Sequence, residues 1–169
     1  MAKEGITWSA SWKLEKYEED LDEFDGTPDE FYATYTPYEV IKSQGNLALN
    51  EGLNNIWTLV CGGAATPYSA SFARIGVGDS STAATASQTD LQASTNKLYK
   101  GLDLGFPVYG TNQLATFKAS FTGSEANFVW NEWTVDNGAS SGLNLNRKVE
   151  NLGTKSGGTW TLSVDLTIA

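Results

Sequence analysis

The sequence predicts a mainly β protein: an antiparallel β-sandwich, jelly-roll-like, with one packed α-helix and an extended N-terminal arm. Apolar and polar residues alternate from about residue 69 to the end of the chain, which is the period of β-strands. The clearest helical spacing lies near residues 47–61, and eleven acidic side chains against four lysines crowd residues 1–45. We therefore divide the chain into an acidic arm with short helical turns, residues 1–45, and a sandwich domain, residues 46–169.

The predicted arm is acidic but also rich in aromatic residues, which disordered acidic tails are not. We expect it to order by docking its apolar side chains on a neighbouring subunit. Deleting residues 1–26 is then expected to leave the β domain folded and to weaken assembly. The anchors that this interpretation selects are spaced among charges: Trp8, Trp12, Tyr17, Leu21 and Phe24.

Two helix-start signals follow the anchors. Thr27-Pro28-Asp29-Glu30 offers a cap, a proline at the first helical position and acids in the first turn. Thr36-Pro37-Tyr38-Glu39 has the pattern of a capping box. We expect short helices or turns at both.

A longer helix is predicted near residues 47–61, capped by Asn46 or Asn50 and ended by Gly62-Gly63. We expect it to lie on a sheet and to bury Cys61, because it carries one apolar stripe. The stripe recurs at helical spacing: Leu49, Leu53, Ile56, Trp57 and Val60.

Strands are predicted where the apolar period is two, around residues 73–77, 115–121, 128–135 and 160–168. In the last of them Thr161, Ser163, Asp165 and Thr167 are expected to face outward. Strands at this spacing, joined by tight turns, are typical of an antiparallel sandwich.

The sequence also predicts the connections between these strands. Asp136-Asn137-Gly138 predicts a tight hairpin turn, because Asn-Gly tolerates positive φ angles. Lys155-Ser156-Gly157-Gly158 is a second turn candidate, and residues 78–96 predict a long polar loop.

The composition argues against most catalysis. The chain has no histidine and one cysteine, so it offers no Ser-His-Asp or Cys-His pair, no zinc ligand set and no intrachain disulfide. The acidic run after Asp20 fails the EF-hand register. Glu125 and Glu132 fit surface groups better than a catalytic pair. We expect no enzymatic activity, no metal and no cofactor.

The net charge of −9 disfavours nucleic-acid binding, and no apolar run has the length of a membrane span. Arg74, Arg147 and Lys148 sit among apolar strand residues. We expect them to pair with acids of the same or an adjacent chain, for which the arm supplies candidates.

Short motifs in the two halves of the sandwich domain resemble small virion proteins of tailed bacteriophages. One set is Asn50-Glu51-Gly52-Leu53-Asn54 followed by the strand Ala73-Arg74-Ile75-Gly76-Val77-Gly78-Asp79. The other is Asn131-Glu132-Trp133-Thr134-Val135 followed by Leu145-Asn146-Arg147-Lys148-Val149. Chains of this size resemble capsid decoration (cement) proteins, and tail-collar and fibre proteins carry a similar arrangement.

The resemblance implies a homo-oligomer, often a trimer, whose partners are copies of itself and the major capsid protein or other virion proteins. It implies a place on the exterior of the phage particle after assembly in the host cytoplasm. A tail, neck or fibre-base protein is the first alternative. A carbohydrate-binding sandwich is the second, with Trp130, Trp133 and Trp160 as a sugar-stacking platform, although core packing suits their strand positions better.

Overall fold

Two antiparallel sheets pack face to face. The computed structural model describes residue 5 and residues 7–139 and 142–169, and within them each sheet has five strands. One sheet, here the first sheet, has the order β2 (Glu39–Gln44), β1 (Trp8–Tyr17), β10 (Thr159–Ile168), β7 (Leu114–Phe121) and β6 (Val108–Thr111). The second sheet has the order β3 (Leu47–Ala48), β9 (Asn146–Thr154), β8 (Val129–Asp136), β4 (Arg74–Gly78) and β5 (Lys97–Gly101). The predicted antiparallel sandwich is confirmed.

The core lies between the two sheets, where period-two alternation places the apolar side chains. In β10, Leu162, Val164 and Leu166 are buried, and they share one cluster with Trp133 and Val135 of β8. Thr161, predicted to face outward, is nevertheless fully buried. It lies beneath Tyr32, whose hydroxyl is 3.1 Å from the Thr161 hydroxyl, because a helix covers this part of the outer face.

That helix is α1 (Pro28–Thr34), and it confirms the first helix-start signal. The Thr27 hydroxyl accepts from the Glu30 amide, and the Glu30 carboxylate accepts from the Thr27 amide, closing a capping box. The second signal is wrong: Glu39 begins β2, and the Tyr38 amide donates to Lys16 O of β1. Pairing with β1 overrides the local helix signal there.

The N-terminal segment is part of the sandwich, which corrects the predicted boundary at residue 45. Strand β1 pairs with β10 along its whole length, from Trp8 opposite Ile168 to Tyr17 opposite Thr159, and with β2 on its other side. Its side chains alternate, with Ala10, Trp12 and Leu14 buried. The acidic arm is therefore not a separate extension, because residues 8–17 supply an interior strand. Residues 1–4 and 6 of the predicted arm lie outside the described residues.

The predicted long helix is confirmed as α2 (Asn50–Val60), but it begins after Leu49 without a side-chain cap, so neither Asn46 nor Asn50 caps it. It approaches the second sheet through Gly52, where an added Cβ would lie 2.5 Å from Leu145 Cα. Of the predicted stripe Leu49 is buried, whereas Trp57 and Val60 are exposed. Cys61 is exposed too, so its predicted burial is wrong.

The connections are partly as predicted. No tight hairpin forms at Asn137-Gly138, since β8 ends at Asp136 and β9 starts at Asn146. The Asn137 carboxamide oxygen instead accepts from the backbone amides of Ala139 and Leu143, which holds a longer connection. The turn at residues 155–158 is confirmed and carries the chain from β9 to β10 in the other sheet. The loop at Asp79–Asn96 is confirmed as well.

Candidate functional site

Two of the five predicted anchors are core residues of their own domain. Trp12 is 3% exposed, and its ring meets that of Trp133 at 6.1 Å between centroids. Tyr17 is 4% exposed and packs edge to face on Phe31. Burial, with the nearby Glu15 carboxylate, raises the pKa of Tyr17 to about 12. Neither side chain is available to a neighbouring subunit, which corrects their assignment as interface anchors.

Leu21 and Phe24 are half-buried against the same domain. The Leu21 amide donates to the Thr159 hydroxyl at 2.8 Å, and the Phe24 ring packs on Phe31. Directly before Leu21, the Asp20 carboxylate accepts from the amide of Gly123 at 2.9 Å, which also holds the acidic stretch on the domain. This segment follows the surface of its own sandwich, and its part in an interface stays a prediction.

Trp8 is the anchor that the structure places at an open surface. It is half-buried, and its indole nitrogen donates to Asn46 Oδ1 at 2.6 Å, which fixes the ring orientation. Trp8 also lines a groove of about 580 Å³ at one end of the sandwich. We call it the apolar groove.

The apolar groove is an opening of the core between the two layers. Its floor is formed by buried side chains, Phe117, Leu145 and Leu166. At its rim, Tyr109 is 73% exposed and Ile168 is 40% exposed. No charged side chain of the described residues lines it. Such a surface is suited to an apolar partner, because contact removes apolar area from water.

The wall of the groove opposite the first sheet comes from α2 and the segment after it. Ile56 of α2 lines the groove together with Pro67 and Tyr68. Trp57, the next residue along α2, is 62% exposed, and Val60, one turn beyond Ile56, is 68% exposed. Residues i and i+4, like i and i+3, are neighbours on a helix surface, so Ile56, Val60 and Trp57 form a continuous ridge. We call Trp57 and Val60 the α2 ridge.

The charged groups in the second sheet are paired internally. Glu132 and Arg147 are fully buried, and Arg147 Nε donates to Glu132 Oε2 at 2.7 Å. The same carboxylate accepts from the amides of Gln92 at 3.0 Å and Ala93 at 2.8 Å, which ties the polar loop to β8. These additional hydrogen bonds offset part of the cost of removing the two charges from water.

The predicted ion pairs therefore form within the chain. Arg74 binds Asp136 with two guanidinium nitrogens, and Lys148 pairs with Glu150. The partners come from β8 and β9 rather than from residues 1–45. Glu125 accepts hydrogen bonds from Lys100 and Thr122, whereas Glu132 pairs with Arg147. The two carboxylates therefore have different partners, and the structure does not bring them together as a catalytic pair.

A polar cleft of about 770 Å³ lies beside Arg74 and Asp136. Glu51 borders it and accepts from the Asn144 amide at 2.6 Å. Burial, aided by the negative charges of Asp90 and Asp136, raises the pKa of Glu51. Tyr99 donates to Asp90, so this carboxylate too has a partner within the chain. The carboxylates that line the cleft are thus engaged in hydrogen bonds or ion pairs within the chain.

Trp130, Trp133 and Trp160 are 0%, 0% and 2% exposed, respectively. Trp130 packs on Phe121 and on Trp160, whose centroid lies 5.0 Å away. A sugar-stacking platform needs an exposed ring face, so the three residues named for the carbohydrate-binding alternative cannot form one.

Sequence reasoning missed the apolar groove because its residues come from stretches that lie far apart in the chain. One feature of the sequence, the distribution of charged residues, does indicate this surface. Residues 52–73 and 104–117 contain no charged side chain, although the chain has 31 charged residues. These two stretches supply the α2 ridge, one wall of the groove and much of its rim.

Within residues 7–139 and 142–169, no group of three or more His, Cys, Asp or Glu side chains is placed to hold a metal ion. No helix among the described residues is long and apolar enough to cross a membrane. In comparisons with known proteins, no family model, no curated protein and no solved structure matches the chain.

Proposed function

We propose that the protein is a non-enzymatic structural component of a tailed-bacteriophage particle, a decoration (cement) protein on the exterior of the capsid. The observation that carries the proposal is the apolar groove with its flanking α2 ridge. A core that opens to solvent, beside an exposed tryptophan, is typical of a surface that a partner covers.

The motifs that resemble virion proteins build the framework that holds this surface. Gly52 packs on Leu145 and so sets the position of α2. Glu132 pairs with Arg147 and fixes the neighbouring loop. The contact of Gly52 with Leu145 joins the first motif set to the second, and the Glu132–Arg147 pair joins the two strands of the second set. This shared framework supports an assembly role for the surface that it holds.

As a decoration protein, the chain contributes a rigid sandwich whose contacts with neighbours stabilise the head. Its exposed faces carry most of the net charge of −9, whereas the groove carries none from described residues. Apolar contact then supplies the affinity, and the acidic faces suit basic patches of capsid subunits.

The test is electron cryomicroscopy of particles assembled without the protein and then incubated with it. We expect saturable density at contacts between major capsid subunits. Density confined to the tail, neck or fibre base overturns the capsid assignment in favour of those sites. No density anywhere on the particle overturns the virion role.

A further inference from the structure

We infer that the apolar groove of one copy receives the α2 ridge of a second copy, and reciprocally, in a two-fold dimer. This deepens the proposed function, because it names the partner at the surface, and it rests on the role of the protein as an assembly subunit.

The groove needs a cover of a particular shape and chemistry. Its floor residues are 5% exposed or less, yet Tyr109 and Ile168 at the rim remain open to water. The cavity of about 580 Å³ has room for bulky apolar side chains. Because no charged group of the described residues lines it, a charged side chain placed there would lose its hydration without a partner.

Charge favours a second copy over an acidic or basic partner at this face. Two molecules that each carry a net charge of −9 repel one another, and the repulsion is weakest where they meet through uncharged surfaces. The two longest uncharged stretches of the sequence, residues 52–73 and 104–117, meet at this surface. Among the described residues, this surface is a face on which self-association brings no charged side chains of the groove lining into contact.

The same face contains both the receptor and the occupant. Trp57 and Val60 project from α2 on one side of a wall, and Ile56 of that wall lines the groove. A two-fold axis between ridge and groove places each ridge in the partner's groove, since isologous contacts pair one patch with itself. Trp57 is the expected hot spot, because large aromatic side chains dominate interface energies.

The experiment is sedimentation velocity on the full chain and three variants, with circular dichroism to confirm that each variant is folded. Trp57→Asp places a charge on the ridge, and Tyr109→Lys places the opposite charge at the groove rim. Val40→Asp makes a matched change at an exposed apolar position in β2, the opposite edge of the first sheet. Trp57, Tyr109 and Val40 are all exposed, so all three variants should fold.

We expect the wild type and Val40→Asp to sediment as dimers. Trp57→Asp and Tyr109→Lys alone should each raise the dimer dissociation constant by more than about 30-fold, because the loss of one hot spot has about that effect and a two-fold dimer loses it at both contacts. An equimolar mixture of these two should dimerise again. In the mixed pair one contact joins the ridge of the Trp57→Asp chain to the groove of the Tyr109→Lys chain, so the two introduced charges attract. The other contact joins an unaltered ridge to an unaltered groove.

A monomeric wild type at its highest soluble concentration overturns the inference, as does a trimer, or a Trp57→Asp protein that dimerises as tightly as the wild type. Failure of the mixture to recover overturns the pairing of ridge with groove. The particle-binding test distinguishes failure of the dimer inference from failure of the proposed function. A monomeric protein that still binds the capsid overturns the dimer but leaves the proposed function standing.

Discussion

At the scale of single residues, the Glu132–Arg147 pair joins β8 to β9 inside the second sheet. Both side chains are fully buried, and the carboxylate also accepts two backbone amides from the 79–96 loop. Removing one partner of such a pair leaves an uncompensated charge in a medium of low polarisability. The cost of that charge exceeds what the intact pair contributes.

We therefore predict that Glu132→Gln lowers the free energy of unfolding by about 3–5 kcal/mol, the range for breaking a buried pair. Urea unfolding followed by tryptophan fluorescence measures it. The double variant Glu132→Gln with Arg147→Met should be less destabilised than the sum of the single changes, because no buried charge is left unpaired.

The matched control is Glu150→Gln in the partly exposed Lys148–Glu150 pair, which also involves β9. Pairs of this kind contribute about 0–1 kcal/mol, so we expect a correspondingly small change. Equal losses for Glu132→Gln and Glu150→Gln would contradict the importance assigned to burial.

At the scale of elements, α2 shows how a helix can be fixed by its smallest residue. Its apolar stripe is too wide for the contact that it makes, so Leu49 is buried while Trp57 and Val60 remain outside. The close approach is made at Gly52, where a Cβ would meet the backbone of Asn144 and Leu145 at 2.5–2.8 Å. The position of the helix is thereby set by backbone contact.

We predict that Gly52→Ala destabilises the fold by about 1–3 kcal/mol, as overpacking does, although alanine is the better helix former. The clash is with backbone atoms, which have little room to shift. Thermal unfolding of the variant measures the loss.

Asn54→Ala is the control for that prediction, since Asn54 is exposed on the same helix. It should leave the melting temperature unchanged or raise it slightly, because alanine's higher helix propensity adds at most about 0.7 kcal/mol to the free energy of unfolding. If both variants gain stability, the close approach at Gly52 does not limit the fold.

At the scale of the whole molecule, the N-terminal segment decides whether the first sheet exists. Strand β1 lies between β2 and β10 and brings Trp12 and Leu14 into the shared core. Without it β2 has no neighbour within the described residues, and one side of β10 loses its hydrogen-bonding partner.

Deleting residues 1–26 is now predicted to abolish folding of the sandwich, in contrast to the expectation for a detachable arm. Circular dichroism and the thermal transition of the truncated chain measure this. Deletion of residues 1–5 is the control, because it leaves β1 whole, and this shorter truncation should fold. A cooperative thermal transition after deletion of residues 1–26 would contradict this prediction and support the interpretation of the segment as a detachable arm.

Much of the fold was predictable because its signals are local. The alternation in residues 160–168 identifies a buried strand, and Thr27 with Glu30 identifies a helix start, each from a few neighbouring residues. The segment at Trp8–Tyr17 alternates as well, but its aromatic residues spaced among charges suggested an arm that docks on a neighbouring subunit. Pairing with β10, 142 residues or more away along the chain, decided its place.

The sequence by itself determined the β-sandwich class, the main strands, both helices and the uncharged stretches that border the groove. Only the tertiary structure decided that β1 is an interior strand, that Trp12 and Tyr17 are core, and that the core opens at one end. Periodicity reports which side of an element is apolar. What covers that side depends on contacts between residues far apart in the chain, and local patterns carry no record of them.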